Sequence, residues 1–367
     1  MCIVFFKKNV AKQIKLIVLF NRDEQISRAQ KRSNFGVHFG PQKIACAYDL
    51  QANGTWFGMN LDTGNYGFLT NFEKKPYKLI EDPKYRKGNL LMDFLRQEHR
   101  FTNPMHYQEH LDVFLKEGQK FNGTNIWLGN IHEYNAIAFS HNQQEQDNFT
   151  LIESDEIHGY GNGEVQDEWF KQKLGKQLIQ QALHLYRNHS EKSLIDIQDQ
   201  LEEQESQKNN TIIKNQNHNH HHRSTDNLHN NHKSDSQMYL KNLLFRVSEC
   251  NYKPPNPEDW INIQHYTDQE RYWNSSIFLD KHEERLGHDE MSYYATVSCS
   301  LMIASRTNEL KFYERIYNHE KLRKDQLYND NIADQLIGKQ NSAHFDFLTK
   351  DDFSMVDYYE DYIYHQF

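Results

Sequence analysis

Met1-Cys2-Ile3-Val4-Phe5-Phe6 and Lys15-Leu16-Ile17-Val18-Leu19-Phe20, the second run ending in Asn21-Arg22-Asp23-Glu24, decide the reading of the fold. β-Branched and aromatic residues fill both runs, and a charged break separates them, so the stretch reads as strand, turn, strand. Antiparallel pairing brings Cys2 and the Asn-Arg-Asp-Glu stretch to one end of a sheet. A thiol at position 2 then faces an arginine and two carboxylates.

The chemistry open to such a cluster is specific. Cysteine is small enough for Met1 to be removed, which leaves Cys2 with a free α-amine. That amine can act as base for its own thiol. The two groups titrate near about 8 and about 8.5, so proton transfer between them costs little. Arg22 favours thiolate and orients an acceptor carbonyl, and Asp23 can hold the amine. The alternative is that Cys2 is an ordinary strand residue and Arg22 with Asp23 a surface ion pair.

Outward from this stretch, residues 25–75 read as short strands punctuated by glycine. Asn53-Gly54 and Gly64-Asn65-Tyr66-Gly67 read as turns, and Trp56 as a core anchor. Asn71 closes a strand, where an amide can donate to an oxyanion or cap a turn. Residues 86–118 shift to helical spacing through Leu90, Leu91, Phe94 and Leu95. Gly159–Gly163 forms a glycine-rich turn carrying Asn162, and no Gly-Lys-Ser/Thr follows it. Trp169, Phe170, Leu174, Leu178 and Ile179 fit an amphipathic helix. From about 196 to 237 the sequence is polar and of low complexity, the composition of a disordered insertion. Its six histidines, His218, His220, His221, His222, His229 and His232, either capture metal or haem or form a neutral tract; the composition favours the tract. Helix resumes at Tyr239–Phe245, and Ala295–Ile303 reads as a strand. The acidic, aromatic tail from 318 to 367 is left open between a late helix and a partner-binding segment.

Composition bounds the function. Lys+Arg is 42 and Asp+Glu 51, a net charge of −9, which argues against nucleic acid or an anionic membrane surface as partner. Aromatics at 13% supply enough apolar mass for a core. The four cysteines, Cys2, Cys46, Cys250 and Cys299, form no CxxC pair, so neither a zinc cage nor a disulfide framework is indicated, and a reducing compartment is expected. No run reaches the ~18 apolar residues that span a bilayer.

Several blocks occur in a consistent order: Met-Cys and the strand ending Asn21–Glu24, Gly54-Thr55-Trp56-Phe57-Gly58-Met59-Asn60, Leu69-Thr70-Asn71, Lys87-Gly88, Phe121–Ile126 and Gly159-Tyr160-Gly161-Asn162. The series resembles the Transport and Golgi organisation protein 2 family, also called the NRDE family, over about residues 1–180 and 237–317. That family is similar to N-terminal nucleophile hydrolases of the bile-salt and penicillin acylase type. The resemblance implies an α/β protein with a four-layer αββα sandwich, in a single domain at 1–317 that carries the insertion, and a serine-containing strand at Asn274–Leu279. It implies Cys2 as nucleophile, Asp23 orienting its amine, Arg22 holding charge, and Asn71 and Asn162 stabilising an oxyanion or orienting a carbonyl. It also implies a role in Golgi organisation, protein secretion and intracellular haem and lipid homeostasis, in the cytoplasm, mitochondria or at the Golgi. The expected partner is a small molecule, acyl, acyl-CoA or haem-like, with no cofactor required. The family usually has Tyr-Gly-Thr-Arg where this chain has Tyr294-Ala295-Thr296-Val297. Three readings therefore stand: ligand binding in a hydrolase-like pocket, a cysteine amidohydrolase, and a non-catalytic scaffold.

Overall fold

The computed structural model describes residues 2–29, 35–38, 42–72, 82–133, 137–142, 149–163, 168–190, 225–251, 253–254, 256–261, 268–286, 290–322 and 356–366. In chain order they form β1 (Ile3–Lys8), β2 (Ile14–Gln25), α1 (Ile26–Ala29), β3 (Gly36–His38), β4 (Ile44–Cys46), β5 (Phe57–Asn60), β6 (Asn65–Asn71), α2 (Lys87–Leu95), α3 (Pro104–His110) and α4 (Asp112–Lys116). There follow β7 (Thr124–Asn130), β8 (Ile137–His141), β9 (Phe149–Ile152), β10 (His158–Tyr160), α5 over 170–190, α6 (Thr225–Ser248), α7 (Asp268–Trp273), β11 (His282–Leu286), β12 (Glu290–Ser305), β13 (Glu309–Leu322) and β14 (Val356–Gln366).

The chain is an α/β protein whose described residues form two antiparallel sheets of seven strands each. One runs β10-β1-β2-β12-β13-β14, with β11 paired to β12; the other runs β3 to β9 in sequence order. The first sheet grows from the β1–β2 hairpin, in which Ile3 pairs with Asn21 and Phe6 with Val18. Side chains alternate across a strand. Val4, Phe6, Leu16, Val18 and Phe20 therefore fill the space between the sheets, and Ile3, Phe5, Ile17 and Leu19 face the helices. Ring contacts join the two sheets: Phe6 with Phe68 at 5.6 Å, Phe20 with Phe57 at 6.0 Å, and Tyr160 with Trp127 at 5.0 Å.

On the far side of the first sheet, Leu174, Leu178 and Leu183 of α5 and Leu240, Leu244 and Phe245 of α6 cover it. On the far side of the second, α2 packs so closely that a Cβ at Gly67 would meet Leu91 at 2.6 Å and one at Gly58 would meet Leu95 at 2.8 Å. Gly54 and Gly88 bring two backbones together in the same region; a Cβ on Gly54 would lie 2.6 Å from the Gly88 backbone. That contact sets the N-terminal end of α2 beside Thr55.

Four expectations change. The low-complexity segment is helical from Thr225, where α6 begins, fourteen residues before Tyr239, and Ser236 and Gln237 are buried; residues 196–224, with His218, His220, His221 and His222, lie outside the described residues. Asn274–Leu279 is not a strand but a buried turn, fixed by the Phe278 amide donating to Cys250 O at 2.8 Å. The turn before β6 ends at Gly64, whose φ of +77° suits glycine, and Asn65–Gly67 already belong to the strand. Of the tail, Val356–Gln366 form a strand, because Tyr362 and Ile363 alternate onto Tyr313 and the inter-sheet core, and residues 323–355 lie outside the described residues.

Candidate functional site

Antiparallel pairing of β1 with β2 places Cys2 beside the Arg22-Asp23 stretch, and β12 pairs on the other side of β2, Thr296 with Asp23 and Ser298 with Arg22. The register slips between these two pairs, so Val297 sits in a β-bulge. Bulges bend a strand and re-aim its side chains. Val297, where the resemblance expects arginine, is buried in that bend.

The Cys2 thiol donates to the main-chain oxygen of Asp23, with Sγ 3.7 Å from it. The Tyr294 hydroxyl donates to the same oxygen at 2.9 Å. The Asp23 carboxylate accepts from Thr296 Oγ1 at 2.6 Å. Burial pushes the Cys2 thiol up from its ordinary value, and the Asp23 carboxylate adds to the shift. In this state the sulfur carries its proton.

Arg22 is 4% exposed. Its guanidinium lies 3.9 Å above the Trp56 ring, and Nη2 reaches Glu24 at 3.5 Å and Asp49 at 3.7 Å. Arg28 shares both carboxylates, at 3.4 Å and 3.0 Å. Nη1 of Arg22 has no hydrogen-bond partner among the described residues. Trp56 is thus the core anchor read from sequence and also the floor under the cation.

Asn162 is buried on the turn after β10. With its amide nitrogen turned toward the neighbouring carbonyls, the orientation its surroundings require, it donates to Cys2 O at 3.3 Å and Asn71 O at 3.2 Å. Thr70 Oγ1 donates to Gly161 O at 2.9 Å and ties the same turn to β6. Asn71 enters the cluster through its main-chain carbonyl; its side chain is exposed at the strand end. Of the other two residues of the Asn-Arg-Asp-Glu stretch, Asn21 is structural, its amide donating to Ser248 O at 2.7 Å and Ile277 O at 3.0 Å. Glu24 serves the arginines.

Two lysines complete the surroundings. Lys87, at the start of α2, donates to Gly123 O at 3.3 Å and interacts electrostatically with Cys2; burial lowers its ammonium to about 8. Lys171 of α5 is 0% exposed, is likewise lowered to about 8 by burial, and interacts with both Asp23 and Cys2. Sequence reading singled out neither as a site residue. Lys171 had a visible signal: it stands three residues before Leu174 and seven before Leu178, on the apolar stripe of the helix. Among the described residues no group of three or more His, Cys, Asp or Glu is arranged to hold a metal ion. An open surface groove lined by Lys7, Asp155, Ile157 and Lys176 lies at the opposite end of β1 and takes no part.

A thiol, a carboxylate, a stacked guanidinium and two ammonium groups are thus gathered at one end of a β-sheet in an α/β protein. The chain matches the Transport and Golgi organisation 2 family over residues 1–319 and belongs to it. No individual curated protein matches it. No helix among the described residues is long and apolar enough to cross a membrane.

Proposed function

We propose that the chain binds a small carboxylate-bearing ligand, acyl or haem-like, at the Cys2 site, within a family role in Golgi organisation, secretion and intracellular haem and lipid homeostasis. Arg22 carries the reading. Its Nη1 is buried without a partner, and an unsatisfied buried donor costs about 1–3 kcal/mol, more when charged. A carboxylate oxygen at that nitrogen removes the cost. Lys87 and Lys171 add positive charge around the same thiol. Two facing sheets with helices on both outer faces support the αββα sandwich of N-terminal nucleophile hydrolases as the frame of the pocket.

Tryptophan fluorescence tests this, since Trp56 underlies Arg22. Laurate is expected to perturb the emission, with methyl laurate binding at least about tenfold more weakly, the effect of about 1.4 kcal/mol. Arg22→Gln should abolish the difference. Acid and ester binding alike would overturn the reading. Haemin, which carries two carboxylates, should compete with laurate. The pH dependence has a definite sign: above about 8, Lys87 and Lys171 lose their protons, so laurate affinity falls as pH rises.

The thiol geometry favours a second reading, a cysteine amidohydrolase. With Met1 removed, the Cys2 amine takes the thiol proton, sulfur attacks an amide carbonyl, the Cys2 ammonium passes that proton to the departing substrate amine as the C–N bond breaks, and water hydrolyses the thioester to a carboxylic acid and the free thiol. Asn162 spends both amide protons on the main-chain oxygens of Cys2 and Asn71, so its part in this reading is to hold those two strand ends together. Intact-mass measurement decides first: a retained Met1 sinks the N-terminal mechanism. A thiol-reactive acyl probe that never labels Cys2 in the trimmed protein removes it as well.

A further inference from the structure

His319 lies near the end of β13, is 6% exposed, and has no place in the chemistry above. Its Nε2 is 2.7 Å from the main-chain oxygen of Thr296. A carbonyl only accepts, so Nε2 carries a proton and donates. Nδ1 is buried and has no hydrogen-bond partner among the described residues. The imidazole is therefore held as the neutral Nε2–H tautomer.

Thr296 is fixed at every polar atom. Its amide donates to Leu279 O at 3.0 Å, its hydroxyl oxygen accepts from the Leu279 amide at 2.7 Å, its carbonyl accepts from His319, and its hydroxyl proton goes to the Asp23 carboxylate at 2.6 Å. It is also the last residue paired before the bulge at Val297, where the ladder no longer constrains the backbone. His319 supplies the constraint that the ladder omits.

We infer that His319 is a positioning residue for the Cys2 site: through Thr296 it fixes the Asp23 carboxylate beside the thiol, and it does so only while its imidazole is neutral. Protonation would place a second N–H in a buried position with no acceptor. The groups facing the ring from the packed elements are Asp280 and Lys281 before β11 and Asp23 on β2, with the Phe278 ring 6.1 Å away. Burial outweighs the two carboxylates and holds the imidazole below its ordinary value. On acidification past that point the ring leaves its place, Thr296 loosens and Asp23 moves off the thiol. The inference rests on reading Cys2 and Asp23 as one site, but its test needs no ligand and so fails or succeeds apart from the binding proposal.

The test is the pH profile of Cys2 modification by methyl methanethiosulfonate, followed by peptide mass spectrometry in the full chain. Asp23 raises the Cys2 thiol, so loosening it lowers the pH at which Cys2 reacts. A shift of about half a pH unit is a rate about threefold higher at fixed pH below the midpoint. His319→Phe and Thr296→Val should each give that shift, and the double variant no more. His319→Gln, which keeps a donor and does not titrate, should follow the wild type near pH 7.5. Between about pH 7.5 and about pH 5, bracketing the ordinary histidine value of about 6.5, the wild-type rate should climb toward threefold above that of His319→Gln. A folded His319→Phe whose profile superimposes on wild type overturns the inference. So does a His319→Gln shifted as far as His319→Phe, or a wild-type to His319→Gln ratio that stays at one. Should His319→Phe not fold, Thr296→Val and His319→Gln carry the test alone.

Discussion

Arg22 shows how one side chain serves two ends. Its flat face lies on Trp56, and its edge is split between two carboxylates and one unfilled position. Lysine reproduces neither the stacking nor the fork. Arg22→Lys should therefore lose the preference for laurate over its ester and destabilise the fold. The loss should be about 1–3 kcal/mol in urea unfolding, below the 3–5 kcal/mol of a broken isolated buried pair, because Arg28 still neutralises Glu24 and Asp49. Unchanged ester discrimination would show that the guanidinium edge is not used. At this scale the sequence was partly legible. Cys2, Arg22 and Asp23 could be read together because one hairpin joins them. Lys87, Lys171, Thr296 and His319 could not, since their proximity to Cys2 depends on pairings and helix packing made far along the chain. Residue type offers Asn71 as a donor side chain, yet its main-chain oxygen is what meets Asn162, a distinction residue type cannot make.

Among the elements, α5 and β1 meet at a point where two rules conflict. Gly175 lies inside α5, where alanine normally gains about 1 kcal/mol. Here a Cβ would stand 2.0 Å from the Phe5 ring. Overpacking costs about 1–3 kcal/mol, so the sign reverses. Gly175→Ala is expected to lower the melting temperature, and a variant that melts higher would show that Phe5 can turn aside. The helix itself was readable from its apolar spacing. The close approach was not, because it needs the partner strand. The same holds for the bulge at Val297: alternation along β12 looks continuous in sequence, and only the register with β2 reveals the extra residue.

For the whole molecule, the last strand is what the sequence hid. Its tyrosines and acids suit a strand, a helix or a binding tail equally, and only the partner decides. β14 pairs with β13 from Glu309 opposite Gln366 to Leu322 opposite Val356. Glu360 accepts from Lys241 of α6 at 2.6 Å and from Arg315 at 2.9 Å, and Arg315 donates onward to Glu249 at 2.8 Å. Burial raises the Glu360 carboxyl, but those two hydrogen bonds outweigh it and hold it below the usual range. A depressed carboxylate stabilises the fold above its unfolded value of about 4.3, and that stability is lost as pH falls through the folded value. Glu360→Gln should thus melt lower than wild type near neutrality and converge with it in acid; a constant gap at all pH would show that the charge is not responsible. Deleting 196–224 should leave the melting temperature within a few degrees, since the polar, low-complexity composition of that segment offers little to a core and changing the length of a flexible connection costs only about 0.6 kcal/mol per doubling. A deletion carried on through 237 should cost more, because it removes buried Ser236 and Gln237 and much of α6.

The pairing of Asp23 with Thr296 has a consequence in time. At synthesis rates of about 5–20 residues per second, roughly a quarter of a minute to a minute separates the two residues' emergence from the ribosome. Throughout that interval the first hairpin has no neighbour on the β12 side, and the Met1–Cys2 bond is accessible to any enzyme that trims nascent chains. Once β12 docks, Cys2 is 7% exposed. Under the N-terminal mechanism proposed above, trimming of Met1 is expected to take place while the protein is still being made, in a race with elongation. Slowing translation across 24–296 should raise the trimmed fraction without altering a single residue.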